Sequence, residues 1–195
     1  MAELIPPPDG LTIDVGCGEG RAARKLAEAG HRVIGLERSP TLATAAGSGA
    51  SPVAVARADA VALPLPDGCA GLVVASMVLQ DLDDLDPAVS EVARVLRDRG
   101  RFCFAIVHPF SSAQDAEVFH GDGPGTVTGS YLAERRYVDR MERDGVGMTF
   151  ESAHRPLSRY VDALGRAGLV IAAMRESGPR PIPWLLVCRA VKARL

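Results

Sequence analysis

Thr12-Ile-Asp-Val-Gly-Cys-Gly-Glu-Gly-Arg21 is a strand tail that runs into glycines at 16, 18 and 20, and a second apolar run ends on Glu37, seventeen residues after Gly20. Glycines at alternate positions let the backbone turn sharply and approach a ligand with no Cβ in the way, where a helix N-terminus begins. A carboxylate closing the next strand is placed to accept both hydroxyls of a ribose. A dinucleotide fingerprint, Gly-x-Gly-x-x-Gly, starting at Gly16 would need glycine at 21, and Arg21 stands there. The pattern that remains is Asp14-x-Gly16-x-Gly18-x-Gly20.

Outward from this stretch, apolar runs at Leu11–Val15, Arg32–Leu36, Val53–Ala56, Gly71–Ser76 and Arg101–Val107 alternate with helical patterns at Glu19–Ala29, Thr41–Ala46 and Pro87–Leu96. Continuous hydrophobicity marks strands covered on both faces, and strand–helix alternation implies a parallel, doubly wound sheet. A helix at Leu157–Ala167 and strands at Leu169–Met174 and Trp184–Val191 close the chain, the last two joined through a proline-rich turn at Pro179–Pro183. With no helix between them these two strands form an antiparallel hairpin. The expected fold is α/β, a Rossmann-like, doubly wound, mostly parallel seven-stranded sheet with an antiparallel last strand.

The glycine pattern resembles that of class I S-adenosylmethionine (SAM) dependent methyltransferases of the bacterial, small-molecule type. The resemblance continues through Arg57-Ala-Asp-Ala-Val-Ala-Leu-Pro-Leu-Pro-Asp67, Leu72-Val-Val-Ala-Ser-Met-Val-Leu-Gln-Asp81 and Glu91-Val-Ala-Arg-Val-Leu-Arg-Asp-Arg-Gly-Arg-Phe102, in the order and spacing of that family. It implies SAM as cofactor, S-adenosylhomocysteine (SAH) as product, and methyl transfer to a small organic molecule. It also implies that Asp14, Gly16, Cys17 and Gly18 line the methionine end, that Glu37 with Arg38 meets the ribose, that Asp59 and Ala60 meet the adenine, and that Ser76 ends the fourth strand at the cofactor.

Composition narrows the function further. The 195 residues make one domain, 47% hydrophobic, with net charge −2 and basic residues interleaved with acidic ones, so the footprint of a nucleic-acid binder is missing. No apolar run approaches a membrane span and no charged-then-apolar leader opens the chain, which makes cytoplasmic residence the default. Cys17, Cys69, Cys103 and Cys188 are scattered, with no histidine at metal-ligand spacing, so neither a disulfide framework nor a metal site is expected. Lysine occurs only at 25 and 192, and alanine is abundant, a bias of GC-rich bacterial genomes.

Residues 109–156 break the pattern. Glycine, threonine and serine crowd 121–130, and Tyr131–Arg143 is charged, with Asp139 and Arg143 at helical spacing. An insertion after the fifth strand lies over the carboxyl ends of the strands, so an active-site lid is expected, with Tyr131, Tyr137, Phe110 and Phe119 as an aromatic wall or as loop anchors. Only ten residues precede Leu11, where the family usually has a capping helix, and Pro6-Pro7-Pro8 cannot form one. An open site, a homodimer whose second copy supplies the cap, or a missing start are the three readings.

Several residues have readings of their own. Glu37, ending an apolar strand, must find donors, and a ribose diol provides two; the bland alternative is an exposed pair with Arg38. Asp59 accepts from an adenine amino group or caps its own turn. Arg21 opposes a helix dipole, which a methionyl carboxylate would offset, or it is simply solvated. Gln80 and Asp81 stand where relatives often place histidines, leaving Gln80 as a substrate contact or packing filler. His31 reads as a surface-turn residue. His108 and His154 are the candidate catalytic residues, His108 first as general base, since it precedes Pro109 at the ligand edge. The pairing of His-Pro there with Ala-His-Arg-Pro-Leu before the last helix resembles some bacterial small-molecule methyltransferases, which have tyrosine at the alanine. Oxygen is the favoured acceptor atom if a histidine is the base. Two alternatives stay open: a non-catalytic SAM-binding module and an NAD-linked oxidoreductase.

Overall fold

A computed structural model describes residues 1–48, 53–114, 129–143, 146–178 and 183–194, with the backbone alone for 139–143 and 146–148. Seven strands form one sheet in the order β3-β2-β1-β4-β5-β9-β8. These are β1 (Leu11–Val15), β2 (Arg32–Glu37), β3 (Ala54–Arg57), β4 (Ala70–Ser76), β5 (Leu96–Val107), β8 (Leu169–Ser177) and β9 (Leu185–Lys192). The first five pair in parallel, and β9 inserts antiparallel between β5 and β8. The doubly wound architecture expected from the sequence is therefore the one found.

Alternation along β5 sorts the two faces. Phe102, Phe104 and Ile106 point to the layer of α3 (Leu85–Val95) and α5 (Leu157–Arg166), where Val89, Val92, Ala163 and Leu164 complete the main core. Cys103 faces the other way, with Leu72, Val74 and Val33, toward Ala23 and Leu26 of α1 (Arg21–Glu28). Helix α2 (Pro40–Ser48) follows β2 and buries Ala43 and Ala46. Boundaries move by a few residues from the sequence expectation, most at β5, which starts at Leu96. Its register against β4 jumps between the pairs Ala70↔Leu96 and Leu72↔Arg101, so Arg97–Gly100 form an irregular stretch between the expected helix end at Leu96 and the expected strand start at Arg101.

The ten residues before Leu11 form one 3-10 turn, Ala2–Leu4, and lie against the sheet. Leu4 is buried with Ala105 and Val187, and its carbonyl accepts from the Cys103 Sγ and Arg189 Nη1, each at 3.4 Å. This segment covers the underside of β5 and β9.

The insertion departs from the helical reading. Arg135–Arg143 is a strand, β6, paired antiparallel with β7 (Val146–His154) from Arg135↔His154 to Arg143↔Val146. Asp139 and Arg143 share a face in a strand as they would in a helix, so their spacing does not discriminate between the two. The discriminating signal is Asp144-Gly145, the two residues left between the strands, since Asp-Gly is a strong short-range hairpin signal. A short helix, α4 (Pro109–Ser112), follows β5. Phe119, His120 and the segment 121–128, the centre of the expected lid, lie outside the described residues, as do 179–182 of the expected proline-rich turn.

Candidate active site

The loop after β1 turns over the end of β2. Gly16 has φ +64°, and a Cβ there would stand 2.5 Å from a Val78 methyl. Gly18 has φ +57° and opens onto empty space, while its N–H donates to Glu37 Oε2 at 2.9 Å. Glu37 Oε1 accepts the Ser39 N–H at 2.8 Å. Each carboxylate oxygen thus keeps a lone pair, and Glu37 is buried at the ligand edge, so the pairing with Arg38 does not form. Arg38 lies outside, 3.9 Å from Asp59.

Below the glycines, Asp14 is 1% exposed, and neither of its carboxylate oxygens has a hydrogen-bond partner. Burial pushes its carboxyl up to about 7, and the nearby negative Glu37 adds to that; the Ala23 amide of α1 pulls the other way without reaching hydrogen-bond geometry. A buried carboxyl with no partner signals an absent ligand group. Cys17 is packing: its sulfur fills the space above Gly35, where a Cβ would meet it at 2.6 Å, and burial raises its thiol to about 12. Arg21 is exposed at the first position of α1.

Asp59 makes its own turn, Oδ1 accepting the Val61 N–H at 3.2 Å, and Ala60 beside it is half-buried. Both lie just after β3, on the side of the sheet next to Glu37. Ser76 closes β4 opposite Ala105, and Met77 after it takes φ +61°, rare for a non-glycine residue. Gln80 follows, 4% exposed, with its side-chain Oε1 unpartnered.

Hairpin β6–β7 docks over the carboxyl edge of β4 and β5. Ala153 N–H donates to Gln80 O at 2.7 Å, Ser152 Oγ to Asp81 Oδ1 at 2.6 Å, and Arg135 Nη2 to the carbonyls of Ser112 and Ala113. Arg155, 4% exposed, donates to the carbonyls of Leu79, Leu82 and Asp83 and ties the loop after β4 to the start of α5. The sequence reading did not find this clamp. Its signal in the sequence is the place of Arg155 in Ala-His-Arg-Pro-Leu, directly before the last helix.

Both candidate histidines are held at both ring nitrogens. His108 Nδ1 accepts the Phe110 N–H at 3.1 Å, so its proton sits on Nε2 and is donated to Glu176 Oε1 at 2.8 Å. His154 is fully buried; Nε2 must donate to the Tyr131 carbonyl at 2.9 Å, which leaves Nδ1 to accept the Ser112 hydroxyl at 2.8 Å. Burial, with a contribution from the Arg135 charge, holds the His154 pKa below the usual imidazole value and keeps the ring neutral. Neither ring offers a free lone pair in this arrangement. Tyr131 is likewise engaged: its hydroxyl accepts the Leu157 N–H at 3.0 Å and its ring stands edge-on to His154 and 6.5 Å from Phe110. His31, expected in a surface turn, is buried instead and bonds Thr12 Oγ1 at 3.0 Å.

Comparison with known proteins gives the family. Residues 13–104 match the family model described as a methyltransferase domain. An uncharacterized methyltransferase of Mycobacterium leprae is 30% identical over 188 residues, which cover 92% of this chain and 66% of that protein. The chain belongs to the class I SAM-dependent methyltransferase family. A crystal structure of a SAM-dependent methyltransferase from Mesorhizobium loti superposes on this chain with a TM-score of 0.75, at 26% identity, covering 97% of this chain and 94% of that one. A protein of Mycolicibacterium smegmatis named as a probable SAM-dependent methyltransferase is 36% identical over 90 residues, 46% of this chain and 35% of its own. The chain thus spans from about a third to 66% of the length of these two curated relatives. Its cofactor is SAM, which removes the nicotinamide alternative. The residues present fit it: an α-ammonium suits the orphaned Asp14 carboxylate, and a ribose diol suits the two free lone pairs of Glu37. Among the described residues, no helix of the methyltransferase is long and apolar enough to cross a membrane.

Proposed function

We propose that this chain transfers a methyl group from SAM to a small organic acceptor held between the loop after β4 and hairpin β6–β7. The observation that carries the reading is Asp14, a buried carboxylate with two unpartnered oxygens directly under the glycine turn that Glu37 holds. When bound, the sulfonium of SAM supplies an electrophilic methyl for in-line displacement, for which the protein's task is to hold the reacting atoms about 3–3.5 Å apart with water excluded.

The residues divide accordingly. Asp14, Gly16 and Gly18 take the methionine end, Glu37 the ribose, and Asp59 and Ala60 the adenine. Gln80, whose buried Oε1 lacks a donor, accepts from the acceptor molecule. The hairpin excludes water, being docked on Gln80 and Asp81 by two hydrogen bonds. His108 and His154 hold α4 and the hairpin in place. With both rings engaged, the support for a histidine base falls away, and with it the preference for oxygen; an acceptor that arrives nucleophilic, through nitrogen, carbon or an ionised hydroxyl, needs only this positioning. Net charge −2 and interleaved charges support a small molecule over nucleic acid. A second copy of the chain across the cofactor would supply a cover, since Ala2–Leu4 packs under β5.

The test is thermal unfolding with SAH, SAM and NAD, followed by SAH release across panels of phenols, amines and carboxylates. At about a hundred times the dissociation constant, linkage gives roughly 2.7 kcal/mol of stabilisation. A shift with SAH and SAM alone, then SAH release with one acceptor class, bears the proposal out. A shift without release from any class would leave a SAM-binding module.

A further inference from the structure

The chain between β3 and β4, residues 58–69, carries Asp59 and Ala60 and has little structure of its own. Its one bridge joins Asp59 to Ala62, and the Asp59 turn spans two residues. Leu63 is buried in the main core, Ala58, Ala60, Leu65 and Cys69 pack against it, and the Gly68 N–H donates to the Arg94 carbonyl at 2.9 Å; the polar groups of residues 63–67 are held by a side chain of α3. Arg94 uses all five of its guanidinium N–H groups: Nη2 donates to Leu63 O at 2.9 Å and Glu91 Oε2 at 2.8 Å, Nη1 to Leu65 O at 2.8 Å and Asp67 Oδ1 at 2.6 Å, and Nε to Glu91 Oε1 at 2.7 Å. Glu91 Oε2 in turn accepts the Leu63 N–H at 2.7 Å. Carboxylate and guanidinium meet face to face through two parallel bonds, the geometry that a planar fork provides and an ammonium cannot.

We propose that Glu91 and Arg94 are positioning residues for the adenine end of the cofactor site: they fix the loop four residues beyond Asp59 and thereby set the site's selectivity for the base. The inference rests on the reading of Asp59 and Ala60 as adenine contacts. Helix α3 does not need the pair for its own packing, which Leu85, Val89 and Val92 provide in the core. The pair sits at the half-exposed rim, Arg94 at 30% and Glu91 at 19%. Every bond Arg94 makes beyond Glu91 goes to the loop. Loss of the fork should therefore loosen the loop while the sheet stays folded.

The experiment measures dissociation constants for SAH and for S-inosylhomocysteine, in which a carbonyl replaces the adenine amino group, with the melting temperature recorded for each variant. Wild type is expected to favour SAH by about tenfold, the worth of one well-placed hydrogen bond. Asp59→Asn tests the adenine reading and should bring the ratio close to one. Arg94→Lys and Glu91→Gln should each lower the ratio at least about threefold with the fold retained. If Arg94→Lys unfolds, Glu91→Gln, which keeps an oxygen for the Leu63 N–H, decides alone. A ratio lost in Asp59→Asn but kept in the Arg94 and Glu91 variants overturns the proposal and leaves the adenine reading standing. A wild type that does not discriminate, or an Asp59→Asn that still does, overturns both.

Discussion

Gly18 and Glu37 are joined by a 2.9 Å hydrogen bond from backbone amide to carboxylate, so the glycine turn after β1 is shaped by the residue that ends β2. Glu37→Ala removes an acceptor for two backbone amides as well as the ribose contact. SAH affinity should fall by about a hundredfold or more, and Glu37→Gln, which keeps one acceptor oxygen, should lose roughly tenfold. Isothermal calorimetry measures both; an unchanged affinity in Glu37→Ala would remove the ribose assignment.

Asp14 gives a pH signature in the ligand-free protein. Its carboxyl, near 3.8 in the unfolded chain, stands at about 7 when folded. Between those values the unfolded chain has lost a proton that the folded one keeps, so this group's contribution to stability falls as pH rises, and the loss is complete above about 7. It amounts to something on the order of 4 kcal/mol at most. Asp14→Asn should therefore be more stable than wild type in urea at pH 8, with a gap that narrows toward pH 5, and should bind SAH far more weakly. A gap that widens toward acid pH would contradict the assignment of the proton.

His154 runs in the opposite sense. Its pKa is lowered on folding, so its contribution is intact above the usual imidazole range near 6.5 and is lost as pH falls through the folded value. His154→Ala strands the Tyr131 carbonyl, leaves the Ser112 hydroxyl only the Pro109 carbonyl at 3.2 Å, and should cost about 2–4 kcal/mol at pH 7.5. The difference from wild type should shrink on acidification. Hydrogen exchange across 149–154 reads the local effect: faster exchange there in the variant, with β1 and β4 unchanged, is the expected pattern.

Gly16→Ala combines two penalties, a left-handed φ and a Cβ driven against Val78. A loss of about 2–3 kcal/mol is expected. Adding Val78→Ala relieves the contact and leaves the backbone cost, so the double variant should recover part of the stability lost by Gly16→Ala. Additive losses in urea titrations would mean that Val78 moves aside without cost.

β1, β2 and β4 are legible because they are largely apolar and buried, the bounds of β1 matching the expectation to the residue and Glu37 standing out as the charge that ends β2, whereas β3 is mostly exposed. The hairpin is not legible from its charges, because charges four residues apart fit a strand as well as a helix; the Asp-Gly at 144–145 is the better signal. The histidines show a different limit. Their residue type and place in the chain invite a catalytic reading, but what they do is decided by partners far away in sequence: Glu176 is 68 residues from His108, and Ser112 and Tyr131 are 42 and 23 from His154. The same holds for Arg94, whose loop partners lie 27 to 31 residues upstream. Local pattern shows where a polar side chain sits on its element, and only the fold shows whether its hydrogen-bonding capacity is already spent.

The insertion of β9 between β5 and β8 bears on how the protein is made. During synthesis β5, with Phe102, Phe104 and Ile106 along it, leaves the ribosome with one side unpaired, and its neighbour does not exist until about eighty further residues have been translated. The nascent chain therefore presents a long apolar strand edge, a template for intermolecular pairing, until β9 has been made. Ribosome-bound chains halted before Leu185 should need chaperone protection that chains released after Lys192 do not.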